Sequence, residues 1–310
     1  MSNLERYPSR RLVLAAGGAA ALSAGLIGTS AVSSAAGTGT GLPVDGMEKI
    51  LQADGLVSGP VLEVDIDRSD IQVVGPRGIP FREGFQLQHE FFFQQLGSGS
   101  AILNGDLCLL PSETQKVIDG LGRLGFVFQA FHQHLYDLTP MVWFIHMRKV
   151  GDPLALARAA HELVLLTRTP LPQHSPPHRT TPLPADALAK ILGGDATVGA
   201  NGIVTVSVDR ASSVVLGGHR VHPGLGVSTN VQFQPLGESG LAAVVPDFSM
   251  TAQEVNPVVH TMRRLGWQIG CLYNQEIGEQ PQLYFSHAFK TGDAKNLAHE
   301  VRQGLDHTDV

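Results

Sequence analysis

A shift of 141 residues lays positions 106–157 of this chain on 247–298 without a gap, and the identities are specific in kind. They include Asp106/Asp247, Glu113/Glu254, Arg123/Arg264, Pro140/Pro281, His146/His287 and Gly151-Asp152/Gly292-Asp293. Upstream, Leu42-Pro43 matches Leu183-Pro184, and Asp67-Arg68 matches Asp209-Arg210 after a one-residue slip. The chain therefore carries one unit of about 120 residues twice. The copies are placed at 42–169 and 183–306, with 170–182, rich in proline and without periodicity, as the linker between them.

Within the first copy the hydrophobic period changes in a fixed order. An opening helix near 43–53 precedes β-type runs at 60–66, 71–75, 86–96 and 100–110, divided by Gly, Pro and Asp. Pro111-Ser112-Glu113 then opens a helical stretch, with Ser112 as the N-cap, and Gly125 stops it. Two strands at 126–135 and 141–148 follow, joined across Asp137–Pro140. Pro153 sits in the first turn of a last helix running to about 166. The expected fold is α+β: two tandem copies of one unit, each a mainly antiparallel sheet with its helices on one face.

Residues 1–36 are a different kind of sequence. Arg10-Arg11, an Ala/Gly/Leu run from Leu12 to about Gly28, and the small residues Ser33-Ser34-Ala35-Ala36 form the three parts of an export signal, here of twin-arginine type. The alternative is an uncleaved anchor, since the run lies at the lower limit for spanning a bilayer. Downstream no stretch is apolar enough to cross, so the mature form is expected in the periplasm, the cell envelope or the medium, without a stable membrane span. A net charge of −6 with scattered Lys and Arg argues against nucleic acid as a partner. Cys108 and Cys271 fall at non-equivalent places in the two copies, which reads as two buried free thiols rather than a disulfide framework.

The segment 131–146, FHQHLYDLTPMVWFIH, carries the chemistry. On a strand, His132 and His134 share a face about 7 Å apart. With residue 132 paired opposite 146, His146 joins them about 5 Å away. Three neutral imidazoles with an open fourth position suit a divalent transition metal such as zinc, with Glu113 or Asp106 as oxygen ligand or general base. The bland reading is three structural histidines. In the second copy the matching stretch is LYNQEIGEQPQLYFSH: Tyr273 stands for His132 and Gln275 for His134, while His287 and Glu254 persist. Asp106/Asp247, Glu113/Glu254, Pro140/Pro281 and Gly151-Asp152, kept in both copies, are thus assigned to the fold, and His132 and His134 to function. His89-Glu90 reads as a polar pair on an edge strand, with a place facing the same cleft as the alternative, His174 and His178 as solvated linker residues, and His219 and His222 as flanking a glycine turn.

The run Gly105-Asp106-Leu107, Glu113, Arg123-Leu124-Gly125, His132-Gln133-His134, Pro140, His146 and Gly151-Asp152, with Glu254-Val255-Asn256-Pro257 in the second copy, resembles the LppY/LpqO family of exported bacterial proteins. That family is a set of duplicated domains without an established activity, so the resemblance implies the fold and the export and transfers no reaction. Tyr273 and Gln275 depart from its histidine pattern. Three functions fit these residues. The first is an exported protein holding a transition metal, or a small ligand through one, at His132, His134 and His146. The second is a metal-assisted hydrolase with Glu113 as general base. The third is a non-catalytic envelope binding or scaffold module using a cleft between the copies.

Overall fold

The computed structural model describes residues 40–175 and 179–310; the amino-terminal segment expected as an export signal, and His178, lie outside the described residues. The first copy runs α1 (Val44–Leu51), β1 (Leu56–Ser58), β2 (Val61–Asp67), β3 (Gln88–Gly97), β4 (Ser100–Leu109), α2 (Thr114–Leu124), β5 (Val127–His132), β6 (Trp143–Gly151) and α3 (Pro153–Val164). Its strands form one antiparallel sheet in the order β1-β2-β3-β4-β6-β5. The stretch 71–75, expected as a strand, is none: Val74 makes only isolated bridges to Pro80 and Thr139.

The second copy repeats the plan with α4 (Ala185–Leu192), β7 (Asp195–Val198), β8 (Val204–Val208), β9 (Val214–Leu216), β10 (His219–Val221), β11 (Thr229–Pro235), β12 (Leu241–Met250), α5 (Ala252–Arg264), β13 (Gln268–Ile269), β14 (Glu279–Gln280), β15 (Tyr284–Asp293) and α6 (Ala294–Leu305). Its main sheet, β7-β8-β11-β12-β15-β13, has the strand order of the first, and β10-β9-β14 form a small extra sheet.

Alternation along the strands decides which face each sheet buries. In β2, Leu62, Val64 and Ile66 turn to the helices, and Glu63, Asp65 and Asp67 turn the other way. The helices answer with matching stripes. In α2, Thr114, Val117 and Leu121 are buried at helical spacing, and Gly125 (φ +71°) ends the helix in the left-handed geometry a Cβ would strain. Its N-cap position is taken by Glu113 rather than Ser112. Asp152 and Asp293 cap α3 and α6 through the amides of Ala155 and Asn296. Phe91 and Phe93, fully buried between sheet and helices, each stabilise the first core by about 1.5–3 kcal/mol.

The sheet faces turned away from the helices meet one another. Two apolar clusters join the copies, one gathering Phe85 and Phe144 with Val245 and Phe289, the other Phe92 and Ile102 with Leu216 and Phe285. Between the copies remains a cleft of about 800 Å³, lined by polar residues of both. The described linker is pinned, not free: the Gln173 amide exchanges hydrogen bonds with the Asp67 backbone at 2.8 and 2.7 Å, and His174 meets Asp54 at 3.0 Å.

Candidate metal centre between the copies

The β4–β6 ladder sets Asp106 directly opposite His146, on the cleft face. The β5–β6 pairing differs from the expected one. Beyond a bulge between Phe128 and Ala130, Ala130 faces His146 and His132 faces Phe144, two residues away from the expected pairing. A slip of two residues preserves the face, and the His132 and His146 rings still lie 5.0 Å apart. The strand ends at His132, so His134 belongs to the following loop rather than to the strand. Its ring is fixed there by stacking on Phe144 at 3.4 Å and by a 2.9 Å contact of Nδ1 with Gln86 Oε1. That oxygen only accepts, so Nδ1 carries the proton and Nε2 keeps its lone pair.

The second copy completes the arrangement. His287 on β15 stands opposite Asp247 on β12, the counterpart of His146 opposite Asp106, and each imidazole lies 3.6 Å from its carboxylate. The His287 ring stacks on His134 at 3.7 Å, and Tyr273 stacks on its own counterpart, His132, at 3.5 Å. The three histidines expected to converge are thereby divided. Among the described residues, His132, His134 and His287 place ligand atoms within 4.8 Å of one another, and so do Asp106, His134 and His146. His/Asp groupings able to hold a metal are present, and they draw on both copies.

Unpartnered polar atoms concentrate here: both ring nitrogens of His132, Nε2 of His134, Nε2 of His146, and one oxygen each of Asp106 and Asp247 are buried without a hydrogen-bond partner. Such atoms are costly unless something fills the space they face. Burial sets the protonation states. It holds His146 and His287 down at about 3, and together with the neighbouring imidazoles it puts His132 and His134 well below the ordinary histidine range. All four rings are neutral at physiological pH, the form that binds metal. Burial, and then Glu90, push the carboxyls of Asp106 and Asp247 well above the usual range.

Glu113, expected as a general base, does not line the cleft. It lies buried beside α2, where its oxygens accept from Arg68 at 2.9 and 3.2 Å and from the amides of Leu110 and Arg168. Glu254 repeats this with Arg210 in the second copy. No lone pair is left for substrate, so its role is structural. His89 and Glu90 are not on an edge: β3 is internal, His89 turns to Thr169 and the Cys108 amide, and Glu90 lines the cleft. His222 also lines the cleft, its Nδ1 accepting from Gly224. Cys108 and Cys271 are free; Cys271 Sγ lies 3.2 Å from His287 Nδ1. Gly270 supports the site from behind, since a Cβ there would fall 2.2 Å from the His134 carbonyl oxygen.

Sequence reasoning missed His287, Asp247 and Tyr273 as site residues, and it missed the acidic wall of Glu63, Asp65 and Glu90. The alternation of Glu63, Asp65 and Asp67 on one strand face was the available signal for that wall.

The model of a family described as Domain of Unknown Function (DUF1259) matches the chain twice, at residues 45–165 and 186–307. No curated protein matches it. Among solved structures, a trimeric bacterial microcompartment shell protein, PduB, is 14% identical over 81% of this chain and 87% of its own. Its TM-score is 0.20, a value at which the two folds are not equated. Among the described residues, no helix is long and apolar enough to cross a membrane.

Proposed function

The chain belongs to the DUF1259 family of domains of unknown function, present in two tandem copies, and we propose that it binds one divalent transition metal, such as zinc, in the cleft between those copies. The ligands are His132 and His134 from the first copy and His287 from the second. One observation carries this reading: the neutral imidazoles of His132, His134 and His287 bring ligand atoms within 4.8 Å of one another, and the nitrogens that His132 and His134 offer are buried without partners. A tetrahedral ion about 2.0–2.1 Å from each would satisfy them and leave a fourth position toward the cleft. His134 belongs to both candidate groupings but has one free lone pair, so the two describe alternatives around a single ion.

A hydrolytic role is a second reading, favoured by the unpartnered Asp106 and His146 atoms facing the same cleft. In it Asp106, its carboxyl raised by burial and with His146 3.6 Å away, takes the general-base role for a cleft water in place of Glu113. The amino-terminal segment and the resemblance to the LppY/LpqO family support a location outside the cytoplasm, in periplasm, envelope or medium.

Elemental analysis after equilibration with zinc and dialysis tests the metal. About one ion per chain is expected, with loss in His134→Gln and in His287→Gln. A wild type without bound metal, or a His287→Gln variant that keeps it, refutes the shared site and leaves the cleft to a metal-free binding module.

A further inference from the structure

The first copy's side of the cleft carries a charge pattern that the metal reading does not use. Side chains opposite one another across four strands form a row: Asp65 on β2, Glu90 on β3, Asp106 on β4 and His146 on β6. The matching row of the second copy is Ser207, Asn230, Asp247 and His287. One step along the strands, Glu63 is answered by Thr205, each two residues from the row. The second sheet therefore builds the same face with Thr205, Ser207 and Asn230, the last two hydrogen-bonded to each other at 2.7 Å. The fold does not require Glu63, Asp65 or Glu90.

These acids face one another at a cost. Desolvation by the cleft walls, then the charges of Glu63 and Glu90, raise the Asp65 carboxyl well above the ordinary range, although its side chain still reaches solvent. Among the described lining residues Arg179 is the one arginine or lysine. A separate observation points to something that fills the space: Asp106, 5% exposed, turns an oxygen without any partner into the cleft beside Glu90.

The spacing discriminates between kinds of cation. No grouping of Glu63, Asp65 and Glu90 brings three ligand atoms within reach of one ion; among the described residues only the two histidine groupings do so. Along β2 the carboxylates recur every second residue, about 6.8 Å apart. That matches the separation of the nitrogens in an extended four-carbon diamine, with one carboxylate per ammonium group. The volume of about 800 Å³ suits a small organic molecule rather than a second bare ion. Thr205 and Ser207 on the facing wall offer neutral acceptors for the remaining N–H groups.

We infer that the cleft binds an aliphatic polyamine, its ammonium groups on Glu63, Asp65 and Glu90, with Asp106 at the end nearest the histidines. The site is separable from the metal reading: it uses none of the three histidine ligands, and Asp106 is the one residue it shares with the alternative metal grouping.

Calorimetric titration with spermidine, putrescine and butylamine at low salt tests this, on the whole protein treated with chelator. Spermidine is expected to bind at one site, more tightly than putrescine, and butylamine at least about tenfold more weakly. The triple variant Glu63→Thr/Asp65→Ser/Glu90→Asn carries residues the second copy already tolerates and should lose spermidine binding. Glu90→Asn alone, with its fold checked by thermal melting, should weaken it about tenfold. Absence of spermidine binding at millimolar concentration overturns the inference. So does binding unchanged in Glu90→Asn, or stoichiometric calcium or magnesium that displaces spermidine. Spermidine binding retained in His134→Gln, where zinc is lost, separates this inference from the metal reading.

Discussion

Glu63 offers a direct measure of what the acidic wall costs. Burial in the cleft, and then the charge of Glu90, raise its carboxyl from an ordinary 4.5 to about 7. For a carboxyl whose folded value is raised, the unfolded chain gives up its proton first as pH rises. Stability is therefore lost between about 4.5 and about 7, and the full penalty holds above that. At 1.36 kcal/mol per pH unit that gap amounts to about 3 kcal/mol. Glu63→Gln keeps the shape and removes the charge. It should stabilise the protein by up to about 3 kcal/mol near pH 8 and by less than about 1 kcal/mol near pH 5. Urea denaturation of wild type and variant at a series of pH values, without polyamine or metal, gives both numbers. A variant less stable than wild type near pH 8, or a difference that does not change with pH, refutes the reasoning. Saturating spermidine should narrow the difference at high pH by stabilising only the wild type.

Three further outcomes follow from named contacts. Gly270→Ala should weaken zinc binding about tenfold or more while leaving helical content unchanged, because the new methyl displaces the His134 carbonyl; zinc titration with circular dichroism reads both. Glu113→Gln should cost about 3–5 kcal/mol in denaturation experiments without lowering zinc stoichiometry, since it breaks a buried pair with a fully buried Arg68. His146 and His287, held at about 3, stay neutral where the unfolded chain becomes protonated, so each should cost metal-free protein about 3 kcal/mol between pH 7 and pH 4. This runs opposite to the acids, and His146→Gln should remove one such contribution in pH-dependent denaturation.

The duplicated architecture could be read from the chain because apolar periodicity settles which face of each strand and helix turns inward, and that signal survives in both copies. His132 and His134 stood out for a related reason: a fold that manages with Tyr273 and Gln275 does not need histidine at those places. The comparison of copies fails at Asp106/Asp247, which it assigns to the fold, and it leaves His287 out of the site while His146 is in it; the failure has a physical cause. Retention in both copies marks a residue as structural only when each copy's site lies within that copy. Here the equivalent sheet faces meet, so one residue type kept twice is delivered twice to a single cleft. Glu113/Glu254 shows the converse: kept in both copies, it is engaged by the fold and is not free to act as a base. Nothing in the sequence distinguishes these carboxylates, since both are acids kept at equivalent positions. Their surroundings do. Glu113 accepts hydrogen bonds on both oxygens from a buried arginine and two amides, whereas Asp106, buried almost as deeply, keeps an oxygen with no partner at all. A buried carboxylate with every lone pair engaged holds a fold together; one left wanting, beside neutral imidazoles in an open cleft, is placed to meet a ligand.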